Sequence, residues 1–450
     1  MTILLASSVG VPFTAWTLLV DAGWVAVLLL VGKLIRVKVG WVQRLYIPPS
    51  LLAGLLGLLL GPGGLGWIPL SDQMGVYTGI LIACIFSCLP FVSASGHGMG
   101  KQVGRMWVYS QAGLLAQWLL GGVMGLVLLR CFWPGLNSGF GLSLPAGFCG
   151  GHGTAAAIGT AFRTYGYDDM LTLAMTSATV GLIAAVVVGL LIVKWGTKRG
   201  YTAFLVNFKD LPPEYRTGLV PEEKRQAMGT STFSSISIDS LTFHLAVVLM
   251  VALGGYGMSK AVALAAPDLS LPVFSCAFVV GIVVAFAFRR TGVQHYLCRE
   301  TMGHLSGTFT DILVTCGIAS IKLSVVWDNL WPLLVLLLSG LLCTFLYVFV
   351  VARRILRECW FEKAMFTWGW FTGTMAMGMA LLRVVDPERK SHCLEDYALA
   401  YLFIAPVEIA LVTFAPVAFM TGWGGLFLSL CLGALCAVLA VGWLKGWMKA

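Results

Sequence analysis

Long apolar stretches alternate with short polar clusters along almost the whole chain. Windows without Asp, Glu, Lys or Arg include 47–71, 73–100, 106–129, 170–193, 269–288, 329–352 and 409–444. Each is long enough to cross a hydrocarbon core of roughly 30 Å, and the last is long enough to cross it twice. With shorter and singly charged segments added, the pattern predicts an all-α polytopic membrane protein with about eleven spanning helices.

One apolar segment, 131–162, is too rich in helix-breaking residues to form an ordinary span. It contains Pro134, Pro145, Gly135, Gly139, Gly141, Gly147, Gly150, Gly151, Gly153 and Gly159. Non-helical backbone at membrane depth is tolerated only where protein or a water-filled cavity satisfies its polar groups. We therefore predict a re-entrant hairpin near 137–162 and, by the same pattern, a second one near 364–382.

The polar run 194–240 divides the chain into two halves with the same order of elements. Each half reads as four spans, a glycine-broken segment and another span. We predict a first repeat at 1–193, a cytoplasmic linker at 194–240, a second repeat at 241–420 and an extra C-terminal span at 421–450. Since five full spans per half invert the second half relative to the first, the prediction is an inverted repeat, as in many secondary transporters.

Composition and charge agree with a membrane protein and argue against a nucleic-acid partner. The 450 residues are 58% hydrophobic and 11% charged, and the net charge of +9 is spread over short clusters between apolar windows. With the amino terminus outside, 25 of the 29 basic residues fall on the cytoplasmic side. This predicts a cytoplasmic carboxyl terminus, and we read 1–16 as a leader into the first span because it lacks the basic flank of a signal peptide.

The tips of the two predicted hairpins carry the candidate chemistry. At the first tip, Gly150, Gly151 and Gly153 permit backbone turns that residues with a Cβ avoid. A broken helix presents free amides at one end, which attract an anion, and free carbonyls at the other, which attract a cation. The second tip, at Thr372 to Thr374, offers the same elements. The pair predicts an ion-coupled anion site near the bilayer midplane.

Ionisable residues within apolar segments are costly in a membrane and are candidates for function. Asp311 could neutralise a sodium ion or a substrate ammonium, and Glu408 could do the same. His152 could accept a proton or could instead fix the hairpin turn by a hydrogen bond. Arg163 and Arg383 follow the hairpins and could bind a carboxylate or anchor the hairpins at lipid head groups.

Two motifs resemble those of the bacterial sodium/glutamate symporter family. Residues 150–156, Gly-Gly-His-Gly-Thr-Ala-Ala, followed by Tyr165-Gly166, are similar to its first-hairpin signature, and 47–54 resemble the opening of its second span. The resemblance implies sodium-coupled import of glutamate at the bacterial inner membrane, two inverted repeats and a homodimer. No cofactor is expected beyond sodium as the coupling ion.

These arguments lead to a predicted set of site residues. The substrate site is predicted to comprise Gly151, His152, Gly153, Thr154, Ala155, Thr372, Gly373, Thr374 and Asp311. The sodium ligands are predicted to be Gly150, Thr154, Asp311, Thr372 and Glu408. Another organic anion or dicarboxylate, coupled to protons or sodium, remains an alternative cargo, and a membrane-embedded enzyme is a distant alternative, so we predict a transporter and not an enzyme.

Overall fold

The computed structural model describes residues 13–44, 47–92, 100–204, 218–225, 227–234, 236–265, 271–386 and 390–448. All regular structure in these ranges is helical. Most of the predicted leader and residues 205–217 of the predicted linker lie outside the described residues. The expected all-α class is confirmed for the part of the chain that is described.

Among the described residues, the first half contributes nine α-helices. They are α1 (Ala15–Lys38), α2 (Gly40–Arg44), α3 (Pro49–Leu60), α4 (Met74–Val92), α5 (Lys101–Val123), α6 (Leu129–Phe132), α7 (Ser143–Phe148), α8 (Gly151–Arg163) and α9 (Asp169–Lys198). The second half contributes α10 (Ser240–Ala265), α11 (Val273–Thr291), α12 (Arg299–Ala319), α13 (Leu323–Asp328), α14 (Leu330–Leu346), α15 (Ala352–Ile355), α16 (Trp360–Thr372), α17 (Met375–Val385), α18 (Cys393–Met420) and α19 (Gly424–Leu444).

Nine helical segments in the described ranges are long and apolar enough to cross a membrane. The window 47–71 forms only the 12-residue α3, which rises roughly 18 Å. Pro49 starts this helix, and it ends where Gly61 leaves the helical conformation just before Pro62. Helix α12 has 21 residues, but its polar side chains keep it out of the nine. An uncharged window therefore overstates the length of helix that it contains.

One compact unit, unit 1, combines α1, α3 and α4 from the first half with α10, α11 and α12 from the second. Helix α4 packs against both α11 and α12, and α12 also packs against α3. The buried Asp21 of α1 accepts hydrogen bonds from Ser71 N at 2.9 Å, from the Ser71 hydroxyl and from the Tyr77 hydroxyl at 2.8 Å. These donors stabilise a carboxylate inside an apolar segment and tie α1 to α4.

The other compact unit, unit 2, contains α5 to α9 and α13 to α19. Its long central helix, α9, packs against α7, α8, α16 and α17. An apolar core forms where α7, α9 and α14 meet, around the fully buried Phe140, Phe148 and Leu336. Small residues along α9, such as Ala178, Gly181 and Gly189, allow its neighbours to approach closely.

The two units draw on both halves of the chain in the same order. In each half a π-helical turn continues a long helix, Met124–Leu128 after α5 and Tyr347–Val351 after α14, and four α-helical residues follow each turn. Such turns are rare. This correspondence is consistent with a repeat, whereas the inversion of the second half and the boundaries at 193, 240 and 420 stay predictions.

The extra C-terminal helix, α19, is packed along α5 within unit 2. At its carboxyl end, Arg105 Nε donates to Trp447 O at 2.9 Å, and Gly104 lies against the Trp447 indole. At its amino end, the Trp118 and Phe427 rings meet edge to face with centroids 6.4 Å apart. This helix is therefore an integral part of unit 2.

We expect Gly104→Val to destabilise the protein by about 1–3 kcal/mol, because the new side chain would overlap the Trp447 ring. Thermal unfolding in detergent would show a lower melting temperature. Gly433→Val is the matched control, since nothing lies within 4 Å of the Cβ that it would add to α19. Equal melting temperatures for the two variants would show that the Trp447 contact contributes nothing to stability.

Candidate functional site

The first predicted hairpin contains a helix broken between α7 and α8, which we call the first break. Helix α7 ends at Phe148, where Cys149 N donates to Pro145 O at 3.1 Å, and α8 begins at Gly151. Gly151 has a φ of +60°, a conformation that favours glycine. The leg before this break has only six α-helical residues, shorter than the roughly ten that half a bilayer requires.

The second predicted hairpin contains the second break, between α16 and α17. Helix α16 ends at Thr372, with Gly373 N donating to Gly369 O at 3.0 Å. Thr374 is the N-cap of α17, and its hydroxyl accepts a hydrogen bond from Met377 N at 3.4 Å. A threonine N-cap of this kind satisfies one of the free amides of a helix start.

The two breaks touch. A Cβ added to Gly151 would lie 2.7 Å from Gly373 O and 2.6 Å from Thr374 Cγ2. The absence of a side chain at Gly151 therefore permits both its backbone conformation and its contact with the second break. The start of α8 and the end of α16 consequently meet at one place within unit 2.

Helix α9 contacts both breaks. The Thr179 hydroxyl donates to Met175 O at 2.9 Å, so it accepts from His152 Nε2, which lies 3.1 Å away. The hydrogen-bond pattern thus assigns the Nε2–H tautomer to His152, while Nδ1 has no hydrogen-bond partner among the described residues. Two residues further along α9, Gly181 lies directly against Thr372 O. This hydrogen bond favours the structural alternative for His152, in which it fixes the first break, over a role as proton acceptor.

The hydroxyls of Thr154 and Thr372 lie beside the breaks. Thr154 is 8% exposed and its side chain fills the space next to Gly150. The Thr372 hydroxyl donates to Trp368 O at 2.7 Å, which leaves lone pairs of its oxygen for a cation. Ala155 is fully buried and offers only its backbone. Gly153 lies between these residues in the first turn of α8.

Glu408 belongs to the same unit, in α18, which contacts α8. The Tyr401 hydroxyl donates to Glu408 Oε2 at 3.2 Å. The carboxylate is also close enough to interact electrostatically with the Cys149 thiol and the Tyr397 hydroxyl. The structure thus brings the predicted Glu408 near the first break.

Asp311 is the one predicted site residue that belongs to unit 1. It lies in α12 with an exposed side chain, and its backbone carbonyl accepts from the Thr315 hydroxyl at 3.0 Å. Its grouping with the two breaks stays a prediction. Arg163 pairs with Asp168 at 3.3 Å, and the two side chains are 39% and 62% exposed. This favours the anchoring role for Arg163 over substrate binding.

Two residues that the sequence analysis overlooked contact the breaks. Thr179 holds His152, and Gln117 of α5 bonds to both breaks. Both are polar residues inside charge-free windows, and Gln117 is 6% exposed. Because a buried polar side chain in an apolar span is costly without a partner, the two glutamines of this window, Gln111 and Gln117, were the available signal.

Comparison with known proteins supports the resemblance found in the motifs. The family model described as sodium/glutamate symporter matches residues 16–378, which include both breaks and all of the long helices up to α16. Neither the curated proteins nor the solved structures provided a match. The matched region covers more than half of the chain, and the chain therefore belongs to the sodium/glutamate symporter family.

Proposed function

We propose that this protein is a secondary transporter that imports glutamate together with sodium across the bacterial inner membrane. The observation that carries the proposal is the contact of the two breaks at Gly151 and Gly373 within unit 2. Family membership supplies the two solutes, since the family is one of sodium/glutamate symporters. In many secondary transporters, broken helices bind an anionic substrate group at their amino ends and a cation at their free carbonyls.

The substrate carboxylates would bind at the amino ends of α8 and α17. The first four amides of a helix have no partner within it, and the helix dipole favours negative charge there. Gly151, His152, Gly153, Thr154 and Ala155 form the first of these ends. Thr374 begins the other, next to Gly373 and Thr372. Because one of the α17 amides is already capped by Thr374, we assign the larger share of carboxylate binding to α8.

Sodium would bind at the carboxyl ends of α7 and α16, where backbone carbonyls are unpaired by the helix. The hydroxyls of Thr154 and Thr372, together with Gly150, would complete the oxygen ligands. Glu408 would supply negative charge beside the first break, and Asp311 would neutralise sodium or the substrate ammonium. Sodium and carboxylate then stabilise each other electrostatically, which raises the affinity for each when the other is bound.

The finer topology belongs to the same proposal. We infer that both broken helices are re-entrant, that the second half is inverted, and that the amino terminus lies outside and the carboxyl terminus in the cytoplasm. The excess of basic residues in the predicted cytoplasmic clusters supports this orientation. We also infer a homodimer, in keeping with the resemblance to the family.

A second candidate cargo is a dicarboxylate without an amino group. Helix amides recognise carboxylates whether or not an amino group is present, and Asp311, the residue assigned to the ammonium, belongs to unit 1. The choice between these cargoes therefore depends on the ammonium contact.

In proteoliposomes, we expect an inward sodium gradient to increase uptake of radiolabelled glutamate at least tenfold over a matched potassium gradient. A sodium gradient changes the driving force only if sodium is co-transported. Excess unlabelled dicarboxylate should compete less well than unlabelled glutamate. Sodium-independent uptake would contradict the coupling, whereas sodium-driven uptake of a dicarboxylate alone would contradict only the substrate.

We expect Thr154→Val and Asp311→Asn each to raise the sodium concentration for half-maximal uptake by about tenfold, since each removes an oxygen or a charge assigned to the ion. Thr160→Val on the same α8 helix and Asp72→Asn on the surface of unit 1 are the matched controls. Unchanged sodium activation in Thr154→Val and Asp311→Asn would remove these residues from the mechanism.

Gly151→Ala should abolish most of the uptake, because its Cβ would overlap Gly373 O and would be strained at a φ of +60°. Gly200→Ala controls for strain alone, because Gly200 has a φ of +69° and nothing within 4 Å of its added Cβ. Comparable uptake by the two variants, at equal amounts of protein in the vesicles, would show that contact between the breaks is dispensable.

A further inference from the structure

A single buried amide, that of Gln117, connects the two breaks. Its Nε2 donates to Phe371 O at 2.9 Å and to Thr344 Oγ1 at 2.8 Å, and its Oε1 accepts from the Cys149 thiol at 2.8 Å. Cys149 lies at the end of α7 and Phe371 in the last turn of α16. We propose that Gln117 is a positioning residue that couples sodium binding at one break to the geometry of the other. This inference rests on the proposed transport function.

The bond to Phe371 acts on a group that matters for cation binding. The last four carbonyls of a helix have no partner within it, and Phe371 O is one of them in α16. Gln117 satisfies this carbonyl and thereby determines which carbonyls at the second break remain for an ion. An amide displaced from Phe371 O would change the oxygen ligands at the break without touching the ion itself.

The bond from Cys149 connects the same amide to the first break. The Cys149 thiol is a donor to Oε1, so the carbonyl and amino ends of one planar group engage different breaks. A planar amide cannot follow two partners that move in different directions. Displacement of either break therefore weakens the hydrogen bond to the other.

The surroundings of Gln117 permit motion of the side chain but offer few other partners. It lines a cavity of about 420 Å³ whose walls are mainly apolar, with Gly113, Leu120 and Leu435 among them. A polar group that loses its hydrogen bonds in such a place is not readily compensated. The amide therefore favours arrangements in which both breaks are bonded, and this preference supplies the coupling free energy.

Helix α5 provides a matched control. Gln111 is 1% exposed, and neither polar atom of its amide has a hydrogen-bond partner among the described residues. Gln117→Met and Gln111→Met delete the same amide from the same helix at similar burial. Only the first change removes bonds to the breaks.

The test uses the full-length protein and two measurements. In detergent, the rise in melting temperature upon addition of sodium chloride, relative to choline chloride, reports sodium binding without any assumption about the cargo. In proteoliposomes, the sodium concentration for half-maximal uptake reports ion coupling. The glutamate KM at saturating sodium reports whether the rest of the site is intact, so a variant with a damaged fold would change both. We expect Gln117→Met to raise the half-maximal sodium concentration about tenfold, a difference of about 1.4 kcal/mol, and to leave KM at saturating sodium within about twofold.

Variants of Cys149 test the bond to the first break. Cys149→Ala should reproduce part of the sodium shift, whereas Cys149→Ser should behave like the wild type because the hydroxyl also donates to Gln117 Oε1. Gln117→Met with the same sodium dependence as Gln111→Met would overturn the inference. An equal shift of the half-maximal sodium concentration in Cys149→Ala and Cys149→Ser would also overturn it. The wild type could fail to carry glutamate and still be stabilised by sodium, while Gln117→Met loses that stabilisation. This result would contradict the proposed substrate and support the positioning role of Gln117.

Discussion

The lack of water in the hydrocarbon core is the constraint on which this architecture depends. Breaking a helix there frees amides and carbonyls that no solvent can satisfy, and each must find a partner within the protein. Unit 2 provides these partners from several directions. Gln117 bonds to Phe371 O, Thr374 caps α17, and Thr179 holds His152. The groups left over at the breaks are the ones that a solute and an ion can use.

Close packing of small residues makes this arrangement possible. Gly181 allows α9 to approach Thr372 O, and Gly151 allows the first break to approach the second. A single added methyl group at either position would collide with backbone, which cannot yield as a long side chain can. The glycines therefore determine both the turns and the distances between the segments, and the polar side chains complete the bonding.

The division into units changes how the candidate residues are understood. All of them except Asp311 lie in unit 2, together with α19, which extends past the region matched by the family model. Since α19 covers α5, the helix that carries Gln117, the terminal segment supports the candidate site although it carries none of the predicted ligands. Asp311 belongs to unit 1, so its proposed role depends on a different set of contacts.

Several features followed from the sequence alone because they depend on local chemistry. Apolar windows required spanning helices, runs of glycine required breaks near 150 and 373, and the motif at 150–156 indicated the family. The length of α3 was missed, because absence of charge does not ensure helical continuity through Gly61 and Pro62. The sequence predicted that the two tips meet at one site, but only the tertiary structure decided which atoms touch and that Gln117 and Thr179 hold the breaks. Those contacts join residues far apart in the chain, and no periodicity or composition specifies which buried donor meets which acceptor.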